Sequence, residues 1–143
     1  MATYMPISLT AATVTLSAAN HGGAALVANR AAGITATLPA ATGCGVKFEI
    51  LVGTTITSNN LVVQVASASD VMTGLCILGQ DSADTAVAFE TAADSDTITM
   101  NGSTKGGIKG DRISLEDVGS GLWSVRIVGS GTGTEATPFS AAV

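Results

Sequence analysis

Aromatic side chains make up 3% of the 143 residues and charged side chains 12%, against about 25% charged in an ordinary globular domain. The first shortage leaves little from which to build a stacking platform: one tryptophan, one tyrosine and three phenylalanines. The second leaves Ser, Thr, Gly and Ala, or neighbouring subunits, to cover much of the exterior, since a soluble monomer ordinarily has about 25–35% of its surface charged. We expect both coverings together; a monomer with a hydroxyl-rich skin is the alternative. Basic residues are scarcest of the charged ones, with six Lys and Arg scattered between Arg30 and Arg126 and a net charge of −5. Phosphate-directed binding needs clustered cations that release counterions, so no nucleic-acid partner is expected. No run approaches the roughly 18 apolar residues of a membrane-spanning helix, so no membrane partner is expected either. Met1-Ala2-Thr3-Tyr4-Met5-Pro6 lacks a positive segment leading into an apolar one, which predicts no cleaved secretory leader and synthesis in a cytoplasm.

Histidine and cysteine are equally thin. His21, Cys44 and Cys76 do not make a zinc-site spacing, and no metal or other cofactor is expected. Cys44 sits in a Gly-flanked turn and Cys76 in an apolar run; free thiols are expected in a cytoplasm, with one disulfide as the alternative.

What the chain has in quantity is glycine, 17 residues of it, and short alternating apolar runs. Val14 and Leu16, then Ile34, Ala36 and Leu38 up to Pro39, then Val46, Phe48, Ile50 and Val52 alternate with polar residues, the period of strands with one buried face. Leu61-Val62-Val63-Gln64-Val65 is β-branched on nearly both faces and reads as a central strand. Val71-Met72 and Leu75-Cys76-Ile77-Leu78 follow, interrupted by Gly74, and then Thr97 to Met100, Arg112 to Glu116 and Trp123 to Ile127 repeat the alternation. The Ala-rich stretch Ala24 to Ala32 is read as a strand, and nowhere does a helical period persist for three turns. The predicted fold is all-β, an antiparallel β-sandwich or small barrel, with an extended N-terminal arm over 1–10, a single β domain over 11–128 and a Gly/Ser/Thr-rich C-terminal tail over 129–143. Trp123 shares a face with Val125 and Ile127 and is expected to anchor the core.

Few constellations suggest chemistry. Gly106-Gly107-Ile108-Lys109-Gly110-Asp111 superficially resembles a phosphate loop but lacks Gly-Lys-Ser/Thr and a following helix, so it reads as a turn between strands. Gly129 to Thr134 lacks the helix of a dinucleotide fingerprint and reads as a linker. His21 beside Asn20 and two glycines reads as a surface loop residue, and no Gly-x-Ser-x-Gly elbow occurs, so neither a serine triad nor a Cys44–His21 dyad is expected. Asp81, Asp84, Glu90, Asp94 and Asp96 fall short of a calcium loop and read as a solvated acidic rim. The chain is not expected to be an enzyme.

Several turn motifs taken in order carry a resemblance. Gly33-Ile34-Thr35-Ala36-Thr37-Leu38-Pro39-Ala40-Ala41-Thr42-Gly43, Val52-Gly53-Thr54-Thr55-Ile56-Thr57-Ser58-Asn59, Gly107-Ile108-Lys109-Gly110-Asp111 and Gly131 to Phe139 resemble the capsid decoration, or cement, proteins of tailed bacteriophages. The resemblance runs from about Gly33 to the C-terminus and transfers no individual functional residue. It implies a virion protein, a β-rich homotrimer on the outer capsid surface whose partners are the major capsid protein and its own copies, and which stabilises the expanded shell by binding only that state. Tyr4, Met5, Ile7 and Leu9, apolar residues on the expected arm, are the candidate capsid contacts, by strand addition to an exposed sheet edge. Two other readings compete: a phage fibre or receptor-binding β module, which calls for an aromatic-rich glycan surface, and a hydrolase or isomerase using carboxylates between Asp81 and Asp96, which calls for their burial in a cleft.

Overall fold

A computed structural model describes residues 5–143. Its strands are β1 (Ile7–Leu9), β2 (Thr13–Thr15), β3 (Ala25–Ala28), β4 (Ile34–Thr37), β5 (Lys47–Val52), β6 (Leu61–Gln64), β7 (Val71–Gln80), β8 (Ala86–Glu90), β9 (Thr97–Met100), β10 (Arg112–Gly119), β11 (Leu122–Gly131) and β12 (Phe139–Ser140), with one short helix, α1 (Ala18–His21). They form a seven-stranded sheet in the order β1-β3-β5-β10-β11-β7-β8 and a five-stranded sheet in the order β12-β9-β6-β4-β2. The all-β sandwich expected from the alternation is the observed architecture.

The pairing differs from the antiparallel expectation. Strands β1, β3 and β5 run parallel in one sheet, while β2, β4 and β6 run parallel in the other. The chain therefore crosses between the layers at each step of its first half, so that successive strands lie in opposite sheets and each return stacks on the one before. Side-chain alternation reports which face of a strand is buried and carries nothing about the direction of its neighbour. The second half is mixed: β10 pairs antiparallel with β5 and β11, β9 antiparallel with β6, and β7 parallel with β11 over its whole length.

The core lies between the layers. Leu26, Phe48, Ile50, Ile113, Trp123, Ile127 and Cys76 from the larger sheet meet Ile34, Ala36, Leu61, Val63, Ile98 and Met100 from the smaller. Trp123 is fully buried, its ring centroid 5.8 Å from that of Phe48. Gly74 does not interrupt β7: at φ +153° a side chain there would run into the Val125 carbonyl of the neighbouring β11, so the bare backbone allows the two strands to pair continuously.

Among the described residues, β1 within the expected arm and β12 within the expected tail are both built into the sandwich. β1 is hydrogen-bonded to β3 at the edge of the larger sheet, and Leu9 is buried, 7% exposed, because its position in that register faces the core. Beyond residue 129, Gly129–Gly131 complete β11, and β12 pairs with β9 and buries Phe139. Between these, the Thr132 and Ala136 amides donate to the Ser103 and Thr104 carbonyls. The Gly/Ser/Thr composition that resembled a linker is that of a chain lying flat against its neighbours.

Candidate functional site

Four aspartates, Asp70, Asp96, Asp111 and Asp117, are buried, and none forms a salt bridge with a described residue. Each instead accepts backbone N–H groups, Asp70, Asp96 and Asp117 from remote segments and Asp111 from its own turn and from β11, which is how a carboxylate is stabilised in an interior without a cation. Asp70 accepts from Ala41 at 2.9 Å. Asp117, on β10, takes the amides of Thr42, Gly43 and Cys44 at 2.9, 2.7 and 3.3 Å, together with the Cys44 thiol at 3.3 Å. Burial pushes its acidity down, but these donors outweigh burial and hold the carboxyl at a pKa of about 2. Asp96 accepts from the Ala142 and Val143 amides and from the Thr97 hydroxyl. Burial opposes its charge as well, and the same kind of donors carry its pKa below the usual value.

Asp111 goes the other way. It accepts from Gly107, Ile108 and Ser130 at 2.9, 3.1 and 2.9 Å, yet desolvation exceeds what these amides return, and its pKa is raised. The buried Cys76 thiol is pushed up to about 12, first by burial and then by the negative charge of Asp111. Asp96 was expected in a solvated rim and lies inside, because it fastens the last residues of the chain. Asp81, Asp84, Glu90 and Asp94 are exposed. The four aspartates anchor loops, and they lie at separate points of the sandwich.

The sites expected from the sequence separate as follows. Tyr4 lies outside the described residues. Met5 is 76% exposed, Ile7 is half-buried against the core and Leu9 is inside it, where burial keeps it from serving as a capsid contact. Residues 106–111 form a turn held by Asp111, as their glycines suggested. His21 ends α1, with Nδ1 accepting the Ser17 amide at 3.1 Å. Cys44 is exposed, Cys76 buried, and both are free. Among the described residues no three or more His, Cys, Asp or Glu side chains group as a metal site, and no helix is long and apolar enough to cross a membrane.

The most distinctive surface is one the sequence reading passed over: the outer face of the larger sheet. Backbone register sets two adjacent rows across it. In one, Leu51, Arg112, Val128, Ile77 and Ala88 stand side by side on β5, β10, β11, β7 and β8. In the next, Glu49, Ser114, Arg126, Leu75 and Glu90 do the same. Val128, Ile77 and Leu75 are exposed, Val128 by 57%, and neighbours within and between the rows stand about 5–7 Å apart. Toward β5 the face dips into a shallow cavity of about 290 Å³ lined by Lys47, Glu49, Ser114, Glu116 and Arg126 among others. Lys47 pairs with Glu116 at 3.9 Å and Arg112 with Glu49 at 3.6 Å. Arg126 and Glu90 have no ion-pair partner among the described residues. The four consecutive apolar residues Leu75-Cys76-Ile77-Leu78 were the available signal, since with Cys76 and Leu78 turned to the core Leu75 and Ile77 face outward.

Comparison of the chain with protein-family models, with curated proteins and with solved structures finds no match.

Proposed function

We propose that this chain is a structural protein of a phage head, which binds the outer capsid surface as an oligomer, a trimer on the resemblance of its turn motifs, and stabilises the expanded shell. The observation that carries the reading is the exposed cluster of Val128, Ile77 and Leu75 on a broad sheet face. A chain with 12% charged residues that leaves such a patch bare has a surface suited to protein contact. Buried polar groups spent on fastening loops, as in Asp96, Asp111 and Asp117, suit a rigid part that carries load and performs no catalysis.

The fibre reading calls for exposed aromatic rings. Trp123, Phe48 and Phe139 are buried and Phe89 is half-buried, which favours the head protein over a glycan-binding module.

The test is co-sedimentation of the purified protein with expanded and unexpanded capsids of the phage whose genome carries the gene. Saturable binding to expanded shells, with resistance to heat or chelator-induced rupture, is the expected result. Equal or absent binding to both forms overturns the reading. Removing residues 2–5 leaves β1 in place and asks whether Tyr4 and Met5 contribute to occupancy.

A further inference from the structure

We propose that the outer face of the larger sheet is a contact between two copies of this chain, related by a two-fold axis that runs along β7. The proposal rests on the self-association part of the reading above and adds the surface, the symmetry and the pairs.

The argument is one of register and charge. Across the face, Arg126 on β11, Leu75 on β7 and Glu90 on β8 form one line, and Val128, Ile77 and Ala88 the line beside it. Arg126 and Glu90 therefore flank Leu75 at equal distances, one strand to either side, roughly 5 Å away. Both are exposed and neither has an ion-pair partner among the described residues.

Laying a second copy on this face by rotation about β7 exchanges β11 for β8. Leu75 then meets Leu75 of the second copy and Ile77 meets Ile77, while Val128 covers Ala88. Arg126 of each copy faces Glu90 of the other, so the same operation that joins the apolar row to itself pairs the two unpaired charges twice. An isologous contact requires self-complementarity of this kind. A face with unpaired charge of one sign would fit a partner of the opposite sign; this face carries both, arranged symmetrically about its apolar centre.

Two sheets packed in this way sit about 10 Å apart, leaving room for one layer of side chains from each. Three strands and two rows are a small area beside the roughly 800 Å² per partner of a standard interface. The contact is accordingly expected to be weak in dilute solution and to matter where copies are held close together. A two-fold contact is compatible with trimerisation through another surface, since trimers placed on a closed shell adjoin one another across two-fold positions.

The experiment is sedimentation velocity over micromolar to millimolar concentrations on the wild type, Arg126→Glu, Glu90→Arg, their double variant and an equimolar mixture of the two single variants. Each single variant sets like charges opposite each other and is expected to weaken self-association at least about tenfold. The double variant restores both pairs. So does the mixture, since the introduced glutamate of one chain then meets the introduced arginine of the other, and the unaltered Glu90 of the first meets the unaltered Arg126 of the second. Association is expected to return in both. Thermal melts of the single variants, altered only at exposed positions, establish that they fold.

A wild type that stays monomeric throughout overturns the proposal, as do single variants that associate like the wild type or a mixture that fails to recover. A trimer indifferent to all the charge changes overturns this surface and leaves the proposed function standing. Failure of the wild type to bind expanded capsids, with the charge-swap pattern intact, overturns the proposed function and leaves the contact. Capsid binding that falls in the single variants while all of them remain monomers assigns the face to the shell and overturns the second copy.

Discussion

The Asp111 carboxyl group occupies the space that a side chain on Gly129 would need. A Cβ built on Gly129 would lie 2.6 Å from Asp111 Cγ, and the neighbouring Ser130 amide donates to Asp111 Oδ1 at 2.9 Å. The loop before β10 and the end of β11 are thus fastened by one carboxylate over a bare backbone.

Gly129→Ala is therefore expected to destabilise the protein by about 1–3 kcal/mol, the range for forcing a methyl group into a filled space. Chemical denaturation monitored by circular dichroism measures it, and an unchanged midpoint would show that the Asp111 loop gives way freely.

The aspartates predict opposite responses to pH. Asp117 has its folded pKa depressed from 3.8 to about 2, so its contribution is present above pH 3.8 and disappears as pH falls toward 2. At neutral pH it is worth about 2 kcal/mol. Asp117→Asn should cost on that order at neutral pH, with the gap to wild type closing in acid. Asp111 has a raised folded pKa, so its contribution is fullest below 3.8 and is lost as pH rises through the folded value. The penalty of Asp111→Asn should be largest in acid and shrink toward neutrality. Denaturation midpoints between about pH 3 and about pH 7 test both slopes, and parallel curves for the two variants would contradict the assignment.

Only one of the two thiols should react in the native protein. Cys44 is exposed and Cys76 is buried with its pKa pushed up to about 12. A chromogenic thiol reagent is expected to label Cys44 quickly and Cys76 only on unfolding. Fast labelling of both would mean that the β7–β11 layer opens readily.

Trp123 is the sole tryptophan, fully buried, and its indole N–H has no hydrogen-bond partner among the described residues. Native fluorescence should be blue-shifted and move to the red on unfolding. Trp123→Ala should cost about 3–5 kcal/mol. Trp123→Phe should cost markedly less, because it keeps the contact with Phe48 and removes the unpartnered donor.

Deleting residues 2–9 removes β1 and the buried Leu9, and should lower stability by about 2–5 kcal/mol relative to the chain that lacks only residues 2–5. Equal melts for the two truncations would mean that β1 adds nothing to the sheet.

The sequence by itself determined that the chain is all β, because alternation at Val46–Val52, Arg112–Glu116 and Trp123–Ile127 directly encodes strands with one buried face. It also marked the turn at residues 106–111, since glycines there have few other uses. Only the tertiary structure decided that the first strands stack parallel in two layers, that Leu9 and Phe139 are interior, and that Asp96, Asp111 and Asp117 hold loops. Each of these depends on which remote segment a residue meets, and periodicity along the chain contains no term for that. The outer face has the same origin: Arg126 and Glu90 are 36 positions apart in the sequence, and strand register alone sets them on either side of Leu75.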